Sequence, residues 1–198
     1  MRVALDIGHR GKPFRPNDRG AVGPDGEEVA LCLTYWRHMD RALRLEGAEV
    51  LGPLSGEYRE RIAAAAAWGA RVFLQLHADA GGGHRSTVWY DGRSKGGAGL
   101  AMDIQEWAAV GVAVDDAAIW HIESRAARAD TDGRPEDEGE RVYNVLAPVY
   151  PVPRMVGILW EVGFVDGPTA HRRFVLDRAG PICGKVAAAF AAWGGEHP

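Results

Sequence analysis

Residues 71–77 read Arg-Val-Phe-Leu-Gln-Leu-His, a short apolar run that ends on a histidine. Its length and its aromatic and β-branched side chains predict a buried β-strand. Runs of similar character lie at 2–7, 86–90 and 156–161, with a weaker one at 48–51, and the longer stretches 27–46, 57–68, 97–110 and 168–193 predict helices. Strands alternating with helices predict an α/β domain with a twisted, mostly parallel sheet flanked by helices on both faces.

The length and composition of the chain limit what it can be. Its 198 residues suit a single domain over 1–198, and 46% hydrophobic with 25% charged residues are typical of a globular protein. The net charge of -4 disfavours a nucleic-acid binder, which needs a basic surface to displace counterions. Cys32 and Cys183 form no Cys-x-x-Cys pair, which excludes a cysteine-rich zinc module. We expect two buried free thiols, with a disulfide between them as the alternative.

Two segments of the sequence are predicted to be loops. Residues 10–26 are rich in Gly and Pro, and residues 128–141 are strongly acidic without hydrophobic periodicity.

The chain opens directly on the strand-like run 2–7, with no basic segment followed by an apolar one. No apolar run reaches the ~18 residues that span a bilayer. We therefore expect a protein that is made in a cytoplasm and not inserted in a membrane.

The side chains best suited to chemistry stand at the ends of predicted elements. His9 follows the first strand, His77 and Glu161 close two others, and Glu28 opens the first helix. Ligands of parallel sheets bind beyond the carboxyl ends of the strands. Ordinary interpretations also exist, because a carboxylate such as Glu28 favours a helix N-terminus and Glu161 would equally serve as the buried partner of an arginine.

Taken together, the four residues form a more specific pattern. Two imidazoles and one carboxylate, from His9, Glu28 and His77, make a three-ligand zinc site that leaves a fourth position for water. Zinc lowers the pKa of such a water towards ~7, and a carboxylate off the metal, here Glu161, can then move its proton to a leaving amine. Glu27 is the alternative ligand if the helix begins one residue earlier.

Six features follow one another in order between residues 2 and 170. They are Asp6-Ile7-Gly8-His9, Gly20-Ala21-Val22-Gly23, Glu28 at a helix start, Arg61 sixteen residues before the second histidine, Phe73-Leu74-Gln75-Leu76-His77-Ala78-Asp79, and Leu159-Trp160-Glu161-Val162-Gly163-Phe164. In kind and spacing they resemble the motifs of the zinc-dependent N-acetylmuramoyl-L-alanine amidases of the amidase-3 type, a family that includes bacterial autolysins and phage endolysins.

The resemblance implies a Zn²⁺ cofactor on His9, Glu28 and His77, with Glu161 as the catalytic carboxylate. It implies hydrolysis of peptidoglycan at the amide between N-acetylmuramic acid and L-alanine of the stem peptide. With one catalytic domain, no wall-binding domain and no signal peptide, we expect a monomeric phage endolysin or autolysin that acts on the wall after release. The alternatives are a zinc peptidase or deacylase of another amide, and a non-catalytic wall binder that would be expected to lack some of these residues.

The chain departs from the family pattern at three positions. Ile7 replaces a proline and Arg10 a glycine beside His9, and Asp79 replaces an asparagine after His77. We therefore expect a different loop conformation and an added cation near the metal. Arg10 or Arg61 would contribute charge there, although a structural ion pair is the favoured role for Arg61.

The remaining histidines and the aromatic residues receive ordinary interpretations. His84 is expected in an exposed loop beside the cleft, and His121 would line the site if its element faces it. His38 and His197 are expected to be structural or exposed. Core packing is the favoured role of Trp89, Tyr90 and Trp120, with stacking on substrate as the alternative.

Overall fold

A six-stranded β-sheet lies at the centre of the computed structural model, which describes residues 1–110, 119–127, 142 and 144–196. The strands are β1 (Arg2–Ile7), β2 (Val22–Gly23), β3 (Gly26–Glu27), β4 (Glu49–Leu51), β5 (Val72–Asp79), β6 (Arg85–Asp91), β7 (His121–Ala127) and β8 (Val156–Phe164). The sheet order is β4-β1-β5-β8-β6-β7, while β2 and β3 pair in a separate hairpin. Neighbouring strands are parallel except β6 and β8, which confirms the mostly parallel sheet.

The helices are α1 (Glu28–Leu45), α2 (Tyr58–Trp68), α3 (Lys95–Val110), α4 (Thr169–Asp177) and α5 (Ala179–Glu196). The prediction of one helix over 168–193 is wrong, because α4 ends at Asp177 and a new helix begins at Ala179. Pro181 explains the break, since proline lacks the N–H that a continuing helix needs but fits a first turn. None of the helices in the described ranges has the length and apolar character to cross a membrane.

The loop and strand predictions are partly confirmed. Strands β5 and β8 run two to three residues further than the apolar runs that predicted them, and β7 is a strand that the sequence did not predict. The predicted loop 10–26 contains the short hairpin of β2 and β3. The acidic stretch 128–141 lies outside the described residues.

The two faces of the sheet carry different side chains. On one face, Leu5, Leu74 and Trp160 belong to the main core cluster, which they share with buried residues of α1, α3 and α5. The other face is covered by α2, whose Ile62 packs with Phe73 of β5. Side chains alternate along a strand, so within β1 and within β5 every second residue points away from the main core cluster and towards α2. In β5 these residues include Gln75 and His77.

Candidate metal centre

His9 follows β1 at the carboxyl edge of the sheet and has a left-handed backbone with φ of 63°. Its Nδ1 lies 3.0 Å from Asp18 Oδ1. Burial opposes ionisation of Asp18, but hydrogen bonds from His9, Lys12 and the Gly20 N–H hold its pKa well below its usual range. An ionised carboxylate only accepts, so His9 Nδ1 donates this hydrogen bond and Nε2 is the nitrogen that remains for a metal. Nε2 faces Glu28, 3.5 Å from Oε2.

Glu28 is the first residue of α1, and its side chain is buried between the two histidines. Oε2 accepts the Ala21 N–H at 2.8 Å, and Oε1 accepts the Ala78 N–H at 3.1 Å. Burial alone would raise the pKa of Glu28, but the hydrogen bond and charge of His77, together with His9 and the Ala21 N–H, lower it. The carboxylate is therefore held ionised in a buried position, which is the condition of a metal ligand.

His77 lies near the end of β5 and is also buried. Its Nδ1 is 2.9 Å from Glu28 Oε1, and its Nε2 is 3.1 Å from Gln75 Oε1. The rings of His77 and His9 meet edge to face, with centroids 5.2 Å apart. Each imidazole thus directs one nitrogen towards Glu28 and the other towards a separate polar side chain.

Three residues from three segments therefore converge on one point. One ligand atom from each of His9, Glu28 and His77 lies within 4.8 Å of the others. Two imidazole nitrogens and one carboxylate oxygen are the donor set of hydrolytic zinc sites, and each histidine has the outer hydrogen-bond partner that such ligands usually have. The donor chemistry of this cluster fits a zinc ion.

Glu161 lies beside this cluster on the neighbouring strand. It pairs in register with His77 across β5 and β8, so the two side chains share the α2 face of the sheet. Both line a cleft of about 740 Å³, whose walls also include Tyr58, Arg85 and Phe164. The register of the two strands shifts just beyond His77. β-Bulges cause such shifts and are common next to active sites.

Glu27 and Glu28 have different surroundings. Helix α1 begins at Glu28, while Glu27 ends β3 and is only half-buried. The Glu27 carboxylate pairs with Arg19 at 2.9 Å. The cluster that could hold a metal contains Glu28 and not Glu27.

The two arginines considered for the site do not line the cleft. Arg61 is fully buried and forms the structural ion pair that was predicted, with 2.8 Å between its Nη1 and Asp6 Oδ2. It also donates to the carbonyls of Ile7, Gly56 and Arg10. The Arg10 side chain is exposed and is not among the residues that line the cleft, whose cationic wall residue is Arg85.

The other candidate residues lie away from the cluster. His38, His84 and His121 are exposed, and His197 lies outside the described residues. The rings of His84 and His121 contact each other with centroids 5.4 Å apart. Trp89 and Trp120 are buried, which confirms core packing over substrate stacking for both. Cys32 and Cys183 are buried free thiols, as predicted.

Sequence reasoning missed two residues of the centre, Asp18 and Gln75, and one residue outside it, His171. Asp18 lies in a glycine- and proline-rich loop, where no periodicity indicates which side chain faces inward. Gln75 did carry a signal, because a residue two positions before His77 in a strand shares its face. His171 was overlooked; it is buried in α4 and hydrogen-bonded to the Phe164 N–H and the Ile119 carbonyl.

Comparisons with known proteins identify a family and similar folds. A family model described as N-acetylmuramoyl-L-alanine amidase matches residues 3–179. No curated protein matches by sequence. Among solved structures, the amidase AmiC2 of Nostoc punctiforme is similar at TM-score 0.72 and 20% identity, over 98% of this chain and 97% of that one.

Two further solved structures are similar over nearly the whole chain. One is an N-acetylmuramoyl-L-alanine amidase from Clostridium difficile 630, with TM-score 0.71 and 18% identity, over 100% of this chain and 98% of that one. The other is the catalytic domain of the CD27L endolysin targeting Clostridia difficile, with TM-score 0.64 and 15% identity, over 96% of both chains. At these identities the likeness shows a shared fold.

Proposed function

The chain belongs to the N-acetylmuramoyl-L-alanine amidase family and is a peptidoglycan amidase, and on that premise we propose how it works. His9, Glu28 and His77 hold a zinc ion, and Glu161 is the catalytic carboxylate. The observation that carries the proposal is the convergence of the three donor atoms within 4.8 Å, beside Glu161 in one cleft.

The bound zinc would supply a Lewis acid that polarises the carbonyl of the scissile amide and lowers the pKa of the attacking water. The protein's part is to keep the donors in their ligating forms. Asp18 keeps the proton of His9 on Nδ1, and backbone N–H groups of Ala21 and Ala78 hold the Glu28 carboxylate in place. Preorganised donors of this kind cost little rearrangement when the metal binds.

Glu161 moves the proton in the proposed reaction. Its register beside His77 and its position on the wall of the cleft support this role. The proposed substrate of the proton transfer is the water that attacks the lactyl carbonyl. The carboxylate accepts a proton from that water and then donates it to the nitrogen of L-alanine as the amide bond breaks. Such general acid–base transfer contributes about 10²–10⁴-fold to the rate.

The proposed biological role is lysis of a bacterial wall, as a phage endolysin or as an autolysin. A cleft of about 740 Å³ is large enough for a muramyl peptide, and its aromatic walls suit a saccharide or a peptide backbone. We expect the purified chain to act as a monomer. Two lysis assays distinguish the two roles. In one the purified protein is added to cells from outside, and in the other it is expressed inside a host with and without a pore-forming partner.

The Glu161→Gln variant tests the mechanism. The substitution keeps the size of the side chain but removes its ability to accept a proton at neutral pH, so we expect kcat for amine release from purified sacculi to fall about 10²–10⁴-fold. Zinc content, measured by atomic emission on the purified protein, should stay at the wild-type level.

Glu49→Gln is the matched control, because Glu49 is an exposed carboxylate at the far edge of the sheet, and its side chain pairs with Arg2. It should keep full activity. Wild-type kcat in Glu161→Gln would overturn the assignment of Glu161. Release of amino groups from acyl-amino acids but not from sacculi would instead favour a peptidase or deacylase.

A further inference from the structure

Gln75 connects the candidate metal centre to a buried ion pair. It is fully buried on β5, two residues before His77 and on the same face of the sheet. Its amide nitrogen donates to Asp6 Oδ2 at 2.9 Å, and its Oε1 lies 3.1 Å from His77 Nε2. Asp6 in turn accepts from Arg61 at 2.8 Å and from the Leu54 N–H at 3.2 Å.

The chemistry of these groups fixes the direction of each hydrogen bond. The Asp6 carboxylate, paired with a guanidinium, can only accept, so the nitrogen end of the Gln75 amide must face it. The oxygen end is then directed at His77, and an amide oxygen can only accept. His77 Nε2 must therefore donate, which places a ring proton on Nε2. Nδ1, which lies 2.9 Å from the Glu28 carboxylate and donates to it in the absence of metal, is then the nitrogen that gives up its proton when a metal binds.

The opposite arrangement is excluded by the same partners. If the Gln75 amide turned over, its oxygen would lie against the Asp6 carboxylate, and its NH₂ group would face His77 Nε2. Such a rotation would place two acceptors together in a buried position, which is costly. Arg61 and Asp6 thereby hold Gln75 in one orientation, and Gln75 holds His77 in one tautomer.

We propose that Gln75 is a positioning residue that selects the Nδ1-ligating tautomer of His77 and so sets the affinity of the site for zinc. The inference rests on the proposed zinc site. Without the Gln75 oxygen, the His77 ring is free to carry its proton on Nδ1, in the position that the metal needs. Outer hydrogen-bond partners of metal ligands typically contribute 10–100-fold to metal affinity.

Two substitutions separate positioning from simple packing. Gln75→Met keeps the length of the side chain but removes the acceptor for His77. Gln75→Glu keeps an oxygen for His77 and places its second oxygen against Asp6. We expect zinc affinity, measured by competition with a chromophoric chelator, to fall 10–100-fold in Gln75→Met and to stay closer to the wild-type value in Gln75→Glu.

The melting temperatures complete the comparison. If Gln75 had a merely structural role, zinc affinity would follow stability. The variant with the lowest melting temperature would then also have the lowest zinc affinity. Tyr35→Phe is the matched control, since it also removes one buried hydrogen bond, from Tyr35 Oη to the Val175 carbonyl at 2.9 Å, but on the other face of the sheet. It should lower the melting temperature and leave zinc affinity unchanged.

The wild-type protein gives a direct readout that needs no variant. In the ¹⁵N NMR spectrum of the zinc-loaded protein, we expect the His77 ring to show a protonated Nε2 and a metal-bound Nδ1. Zinc on Nε2, or equal zinc affinities in wild type and Gln75→Met, would overturn this inference while leaving the proposed function intact. Failure of the wild type to bind zinc would overturn the proposed function itself.

Discussion

Gly8 and Gly20 determine how closely the ligands can approach one another. A Cβ added at Gly8 would lie 2.2 Å from Cε1 of His77, and one at Gly20 would lie 2.2 Å from Oε2 of Glu28. Gly20 also has a left-handed φ of 67°. Both glycines belong to motifs that resemble those of the family, and the structure supplies the reason: each leaves room for a ligand side chain.

Gly8→Ala is expected to disable the site through this contact alone. The new methyl group must push the His77 ring out of place, so we expect zinc affinity to fall at least about tenfold and the free energy of unfolding to fall by about 1–3 kcal/mol. Chelator competition and urea denaturation measure the two effects.

Gly184→Ala is the matched control for the Gly8 substitution. Gly184 lies in α5, and a Cβ added there would have no heavy atom within 4 Å. Alanine should raise the free energy of unfolding by about 0.5–1 kcal/mol, because it loses less backbone entropy in a helix. Unchanged zinc binding in Gly8→Ala would contradict the steric explanation.

At the scale of elements, His171 of α4 fastens the end of β8. Its Nε2 accepts the Phe164 N–H at 3.0 Å, and its Nδ1 donates to the Ile119 carbonyl at 3.1 Å. Accepting at Nε2 requires a neutral ring. Burial lowers the pKa of His171, and the nearby charges of His84, His121 and Arg172 act in the same direction, while the bond to Ile119 opposes them.

The lowered pKa of His171 predicts a loss of stability in acid. Above pH 6.5, the ordinary pKa of histidine, the ring is neutral in both the folded and the unfolded protein. Below that pH the unfolded chain binds a proton that the folded protein does not, so the free energy of unfolding falls as the pH drops through 6.5 towards the folded-state pKa. Urea denaturation between pH 7.5 and 5 measures this slope.

Two variants isolate the contribution of this histidine. His171→Gln should be less stable at pH 7.5 by about 1–3 kcal/mol, because buried hydrogen bonds are lost, and should show a shallower dependence on pH. His38→Gln removes an exposed histidine from α1 and should keep the wild-type slope. An equal slope in wild type and His171→Gln would exclude His171 as the source.

At the scale of the whole molecule, the candidate ligands join segments that are distant in the chain. His9 follows β1, Glu28 begins α1 and His77 lies at the end of β5, so a bound ion would cross-link three parts of the fold. An ion that binds only the folded state stabilises it by mass action. Metal binding and global stability should therefore be coupled.

Removal of the metal is expected to lower the melting temperature. At a zinc concentration 100-fold above Kd the ion contributes about 2.7 kcal/mol, which corresponds to about 5–10 °C for a chain of this size. Differential scanning calorimetry with and without EDTA measures the shift. Glu28→Gln should abolish it, whereas Glu27→Gln should retain it, because Glu27 pairs with Arg19 outside the cluster. An EDTA-sensitive shift of wild-type size in Glu28→Gln would contradict the choice of ligand.

Much of the fold and the candidate site follows from local pattern. The apolar runs at 2–7 and 71–77 and the helical stretch 27–46 predicted β1, β5 and α1 to within two residues, since burial and periodicity act over neighbouring residues. The same pattern put His9 and His77 at strand ends. It missed the break at Arg178, where Pro181 was the available signal, and it did not predict β7.

By itself, the sequence determined the α/β class, the family and the residue types able to bind a metal, because these depend on composition, spacing and motif. The tertiary structure alone decided that β6 pairs antiparallel with β8, that Glu28 rather than Glu27 joins the cluster, and that Asp18 and Gln75 lie within hydrogen-bond distance of the two histidines. Gln75 and Asp6 are 69 residues apart in the chain. Contacts over such separations depend on how the elements pack, and no local pattern encodes them.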